Sequence, residues 1–151
     1  MNFTDLELYK WKVFRDIHLN KKSIISLKYK MSFSSYWKEY AAFMSILPRR
    51  FGKTKMLCDM ITNIMATSNN NVFVVSHNKI ALAHLKRRLR QSIKNTNTIV
   101  FSTYNNDSNM LGYNFGNYDL IIDNFLLIDQ NKLNAILNNA WKTVTMASSM
   151  L

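Results

Sequence analysis

The stretch Met44 to Met60, MSILPRRFGKTKMLCDM, restricts the fold more than any other part of the chain. Phe43 to Leu47 reads as a buried strand, Pro48-Arg49-Arg50-Phe51-Gly52 as a tight turn, and Lys53 onward as an amphipathic helix. A strand running through a short loop into a helix aims backbone N–H groups and the positive helix end at one point, which suits phosphate oxygens. Pro48, Arg49, Arg50, Phe51, Gly52, Lys53, Thr54 and Lys55 would form that cradle. Lys53 would reach the β- and γ-phosphates of a nucleotide, and the Thr54 hydroxyl would ligate Mg²⁺. Gly52 permits close backbone approach without a Cβ. The standard spacing puts a further glycine six positions before the lysine, and Leu47 stands there instead. The loop is therefore glycine-poor, and Gly-Lys-Thr alone is a weak signal that also arises by chance at a helix start in a lysine-rich chain.

The rest of the chain supplies the alternation such a loop needs. Val72 to Ser76 (VFVVS), behind the polar cluster Ser68 to Asn71, reads as a buried parallel strand. Thr98 to Thr103, Tyr118 to Asp123 and Thr143 to Ala147 are three further strand candidates. Between them, Asn78 to Ile93 has helical periodicity in Ile80, Leu82, Leu85 and Leu89, and Asp129 to Ala140 has it in Leu133, Ile136 and Leu137. Asn105 to Asn117 is polar and reads as a loop. Strands alternating with helices predict an α/β fold with about five mainly parallel strands flanked by helices. Asp123 ends the fourth strand, where a carboxylate can hold Mg²⁺ or its water shell beside Thr54; Asp is equally a common turn residue. Residues 1–42 read as a helical N-terminal segment packed on a core of residues 43–151, one domain in all. Trp11, Phe14, Ile17 and His18 share one helical face, and Tyr36, Trp37, Tyr40 and Phe43 form an aromatic stripe. Such stripes are core positions first. Tyr36 or Trp37, just upstream of the loop, could alternatively hold an adenine ring.

Charge narrows the choice of partner. Twenty Lys and Arg against nine Asp and Glu give a formal net charge of +11, which points to an anionic partner, nucleic acid first and a membrane surface next. Lys86, Arg87, Arg88 and Arg90 could contact DNA phosphates, serve as a nuclear-targeting patch, or simply form a solvated helix face. No apolar stretch approaches the ~20 residues that span a bilayer. Asp5 and Glu7 precede any apolar run, so no secretory signal is expected. Cys58, the single cysteine, permits no intrachain disulfide and suits a reducing, intracellular setting; it is expected in the core of the first core helix. His18, His77 and His84 lack the spacing of a metal cluster with Cys58.

The order of these motifs resembles the ATPase domain of terminase large subunits, the DNA-packaging motors of tailed phages and herpesviruses, over roughly residues 43–149. Leu47-Pro48-Arg49-Arg50-Phe51-Gly52-Lys53-Thr54 is similar to the family's arginine-containing, glycine-poor loop. Tyr118-Asp119-Leu120-Ile121-Ile122-Asp123 looks like its second motif, and Thr145-Met146-Ala147-Ser148-Ser149 like its coupling motif. Val72 to His77 lies where the family, like superfamily 2 helicases, has the strand after the first helix. The resemblance implies a three-layer, RecA-like P-loop NTPase core whose first, second and fourth strands bracket the nucleotide. It implies ATP and Mg²⁺ as cofactors, and DNA bound without regard to sequence. It also implies a homo-oligomer or other packaging subunits as partners, and no membrane. Arg49 or Arg50 would match the loop arginine that approaches the γ-phosphate, where a guanidinium stabilises charge on the transferred group. Ser148 and Ser149 would couple nucleotide state to the grip on DNA. The compartment would be the host nucleus for a herpesvirus-like motor and the host cytoplasm for a phage-like one.

One departure bears on chemistry. The family follows its metal-binding Asp with a Glu that orients or deprotonates water, and this chain has Asn124 there. An amide can hydrogen-bond a water but cannot take its proton. Asp129, Glu39 and Asp59 are poor substitutes by position. Two expectations follow: an ATPase motor core using Arg49, Arg50, Asp123 and Asn124, or a non-hydrolysing nucleotide- or nucleic-acid-binding protein derived from the same fold. A superfamily 2 helicase fragment, which would need a second RecA-like lobe, is a third. The family's motors also carry a nuclease domain, for which the nine acidic residues here form no constellation, as expected of a fragment or of a chain reduced to the ATPase core.

Overall fold

The computed structural model describes residues 2–20, 32–67, 71–93, 98–104 and 115–150. Its centre is a sheet of β1 (Ala42–Leu47), β2 (Asn71–Ser76), β3 (Ile99–Thr103), β4 (Tyr118–Asp123) and β5 (Thr143–Ser149). All pairings are parallel and the spatial order is β1-β5-β4-β2-β3. The expected α/β architecture is therefore present, with a five-stranded parallel sheet between helical layers, as in a RecA-like three-layer core.

Alternation within the strands builds both layers. Val72, Val74, Ile121 and Ala147 face one way, while Phe73, Val75, Leu120, Ile122, Val144 and Met146 face the other. Both faces are apolar because helices cover both, which is why these strands read as continuous apolar runs rather than alternating ones. The first face receives α1 (Phe3–Asn20), α3 (Lys53–Thr67) and α4 (Lys79–Ser92) through residues that include Trp11, Met60, Ile61, Leu85 and Leu89. The second receives α2 (Phe33–Tyr36), the π-turn Trp37–Ala41 that prolongs it, and α5 (Gln130–Leu137). Asn78 caps α4 by accepting from the Ala81 N–H at 2.8 Å, and Asp129 caps α5 through the Asn131 N–H at 3.3 Å.

Several expectations about faces are corrected. The buried face of α1 is Glu7, Trp11 and Arg15, at i, i+4 and i+8, while Ile17 is exposed. Two of those three residues are charged, so an apolar periodicity could not reveal them. They meet the strands in their spatial order: Ser45 of β1 donates to Glu7 at 2.8 Å, Trp11 Nε1 donates to Thr145 of β5 at 2.9 Å, and Arg15 forks onto Asp119 of β4 at 2.8 and 3.3 Å. Thr143 donates to the same carboxylate. Tyr36 and Trp37 are fully buried in the second layer, with Trp37 Nε1 bonded to the Asn139 carbonyl at 2.9 Å, so neither can hold an adenine. Ile80 is exposed on α4. Thr143–Ser149 extends the expected last strand by two residues, because Ile46 and Leu47 pair with Ser148 and Ser149. The side chains of His18 and Tyr40, and residues 105–114 of the expected loop, lie outside the described residues. Among the described residues no helix is long and apolar enough to cross a membrane.

Candidate functional site

In a parallel sheet all strands end at one edge, and the loops leaving that edge converge on a common space. Here that edge carries the turn after β1, His77 after β2, Asn124 after β4, and Ser149 at the end of β5. Leu47 pairs with Ser149, and Ser76 with Asp123, which in turn pairs with Ala147. The strand between β1 and β4 is β5. This corrects the expectation that the first, second and fourth strands bracket the site: the fifth lies between the loop strand and the acidic strand, and β2 lies beyond β4.

The loop makes its turn with two left-handed residues, Arg50 at φ 66° and Gly52 at φ 85°. The Phe51 N–H bonds the Pro48 carbonyl at 3.3 Å, and the Met56 N–H bonds the Gly52 carbonyl at 2.9 Å, which starts α3. A Cβ on Gly52 would meet only Thr4 Cγ2 at 3.7 Å, so glycine is required there by backbone conformation rather than by space. The N–H groups of Lys53, Thr54 and Lys55 precede the first i−4 acceptor of the helix and point out of its end. They face a cleft of about 450 Å³ lined by Arg50, Gly52, Lys53, Thr54, Lys55, Arg88 and Ser149.

Beside the cleft lies a polar chain. The Lys53 ammonium forms an ion pair with Asp123 Oδ1 at 2.7 Å and donates to Asn124 Oδ1. Asp123 is 4% exposed and its other oxygen accepts from Ser76 at 3.4 Å. The Lys53 contact is an ion pair without aligned hydrogen-bond geometry, so Asp123 Oδ1 is a buried oxygen without a hydrogen-bond partner. Asn124 stands at φ 58°, a conformation asparagine tolerates better than most residues, and its N–H bonds the Ala147 carbonyl at 2.7 Å. With its Oδ1 taken by Lys53, its amide Nδ2 faces His77 Nδ1 at 3.1 Å.

The charge on this buried carboxylate is met by a cation, which here is the Lys53 ammonium at 2.7 Å. Among the described residues no three His, Cys, Asp or Glu side chains cluster as metal ligands. A divalent ion at Asp123 and Thr54 would therefore take most of its ligands from phosphate and water, as Mg²⁺ does.

The anticipated site residues are distributed as follows. Gly52, Lys53, Thr54 and Lys55 line the cleft, with Arg50 rather than Arg49 as the loop guanidinium. Lys55 is also paired with Asp59 at 3.2 Å. Asp123 and Asn124 meet Lys53. Ser149 lines the cleft, whereas Ser148 is buried and donates to the Ser149 carbonyl at 3.1 Å. The basic cluster on α4 divides: Lys86 Nζ sits 5.2 Å from the Phe101 ring centroid, Arg87 and Arg90 are exposed, and exposed Arg88 lines both the loop cleft and a separate groove shared with His84, Arg87 and Gln91. Sequence reasoning missed His77 and the cleft role of Arg88. The register signal for His77 is visible only once β2 and β4 are known to pair. Asp129 is an exposed helix cap and does not substitute for the missing carboxylate.

Cys58, buried in α3, has its thiol pushed up from 9.0 to about 11. Burial is the main cause, Asp59 and Asp123 add to it, and Arg88 opposes it. A second cavity of about 140 Å³, lined by Val75, Tyr104, Phe115, Lys132 and Ile136 among others, shares no residue with the loop cleft. Comparison with protein-family models and with curated proteins finds no match.

Proposed function

We propose that the chain is a terminase-like, Mg²⁺-ATP-binding core of a DNA-packaging or translocating motor. The observation that carries the reading is a cleft at the carboxyl edge of a parallel sheet lined by Lys53 and Thr54, with buried Asp123 paired to Lys53 beside it. The loop N–H groups and Lys53 would hold the phosphates. Thr54 and Asp123 would hold Mg²⁺, which when bound neutralises charge on the phosphates. Arg50, in the cleft, is the better placed of the two loop arginines to meet the terminal phosphate. Ser149 is the coupling residue that reaches the cleft. DNA would lie on the exposed cations of α4, chiefly Arg87 and Arg90, held by charge and not by sequence. Assembly as a homo-oligomer belongs to the same proposal and rests on the resemblance.

The second reading is a nucleotide- or nucleic-acid-binding protein that does not turn ATP over. What favours it is Asn124, whose amide is engaged by Lys53 and His77 where a general base would be required.

Calorimetric titration with Mg²⁺-ATP, followed by phosphate release, separates the readings. Thr54→Ala leaves the buried Lys53–Asp123 pair in place and should weaken binding only when Mg²⁺ is present. Binding with turnover supports the motor core, and binding without turnover supports the second reading. A chain that binds no nucleotide refutes both nucleotide readings.

A further inference from the structure

The cations around the loop cleft are not equivalent. Lys53 is engaged by Asp123 and Asn124, and Lys55 by Asp59. Arg50 and Arg88 also line the cleft, and neither forms an ion pair among the described residues. They come from different elements: Arg50 from the turn after β1, Arg88 from the C-terminal half of α4. Leu85 and Leu89 anchor α4 to the core, which fixes the side of the helix that Arg88 occupies. On a 3.6-residue helix Lys86 and Arg90 fall on one flank of that buried ridge, Arg88 on the other, and Arg87 on the side directly away from it. Arg88 is the one of the four that reaches the loop, and its field also extends to Cys58 inside α3.

Resting on the nucleotide reading above, we infer that Arg88 is a phosphate-binding residue of the cleft that contacts the terminal phosphate of a nucleoside triphosphate opposite Arg50. The α3 N–H groups and Lys53 hold the phosphates that sit in the loop. A guanidinium on the facing wall meets the phosphate that protrudes furthest from it. Its planar fork suits bidentate contact with phosphate oxygens, which an ammonium cannot reproduce. The consequence is selectivity for triphosphate over diphosphate, together with a tie between α3 and α4 that exists only when the third phosphate is present. Arg88 then belongs to the nucleotide and not to the DNA-binding face on which Arg87 and Arg90 remain.

The test is titration of the wild type, Arg88→Ala, Arg88→Lys and Arg87→Ala with Mg²⁺-ADP, with a non-hydrolysable Mg²⁺-ATP analogue, and with duplex DNA at low salt. Arg88 is exposed, and matched circular dichroism spectra would verify that the variants are folded. Arg88→Ala should weaken the triphosphate about tenfold and leave ADP within about twofold, the size of one lost charge-assisted contact. Arg88→Lys should recover part of that loss, and Arg87→Ala should change neither nucleotide. Unchanged triphosphate affinity in Arg88→Ala, or an equal loss for ADP, overturns the assignment. A loss confined to DNA overturns it in favour of a backbone-phosphate contact. A wild type that binds neither nucleotide removes the underlying reading, and this inference with it.

Discussion

Replacing Lys53 by alanine is the obvious way to disable a phosphate loop, yet the structure predicts that the change is felt first in stability. The Lys53–Asp123 pair is 2.7 Å long, and its side chains are 12% and 6% exposed. At an effective dielectric of about 20, two charges so spaced attract by about 6 kcal/mol, most of which is offset by the cost of removing them from water. Losing the lysine leaves Asp123 charged and buried, with only the Ser76 hydroxyl bonded to it. That should cost about 3–5 kcal/mol. Asp123→Asn should cost less, about 1–2 kcal/mol, because Lys53 keeps Asn124 and can swing into the open cleft. The double variant should then be less damaged than the sum of the singles by about 2 kcal/mol. Urea unfolding followed by tryptophan fluorescence measures this well, since Trp11 reports on one layer and Trp37 and Trp141 on the other. Single-variant losses that simply add, within about 0.5 kcal/mol, would show that the pair does not form and would refute the argument. On the nucleotide reading Mg²⁺ would compete with Lys53 for Asp123, so Asp123→Asn should bind tripolyphosphate without Mg²⁺ more tightly than the wild type does.

Three further outcomes are expected. Asp119→Ala should destabilise by about 3–5 kcal/mol, since it strands the Arg15 guanidinium under α1; equilibrium unfolding checks this, and a loss below about 1 kcal/mol contradicts it. Cys58 should resist alkylation at neutral pH while the chain is folded. Its folded thiol keeps its proton up to about 11, against 9.0 ordinarily, so its contribution to stability is complete below 9.0 and lost as pH rises to about 11; Cys58→Ser should flatten that decline in pH-dependent unfolding curves. Asn124→Glu places a carboxylate beside Lys53 at a left-handed position, at a backbone cost of about 1 kcal/mol. If the missing base alone limits hydrolysis, phosphate release should rise by about 10²-fold or more, and no rise would mean that more than the base is absent.

The strands were legible because a parallel sheet covered on both faces demands unbroken apolar runs, and VFVVS and YDLIID have no other good use. Helix α5 was legible for a similar reason, since Leu133, Ile136 and Leu137 carry the whole buried stripe. Helix α1 was misread because its buried stripe is Glu7, Trp11 and Arg15, whose partners Ser45, Thr145 and Asp119 lie far away in the chain. Proximity along the chain sets Tyr36 and Trp37 next to the loop, although the sheet separates them from the layer that carries α3. Gly52, Lys53 and Thr54 of the cleft, and Asp123 beside it, could be named from local chemistry alone. Strand order could not, because the periodicity of a strand says which side faces the core and nothing about which strand is its neighbour. Only packing put β5 between β1 and β4, His77 beside Asn124, and Arg88 on the same cleft as the loop. The local pattern of residues settled a strand, a glycine-poor turn and a helix within a parallel α/β chain. The pairing of strands decided which charges share the cleft, because charges distant along the chain interact only where packing brings them together.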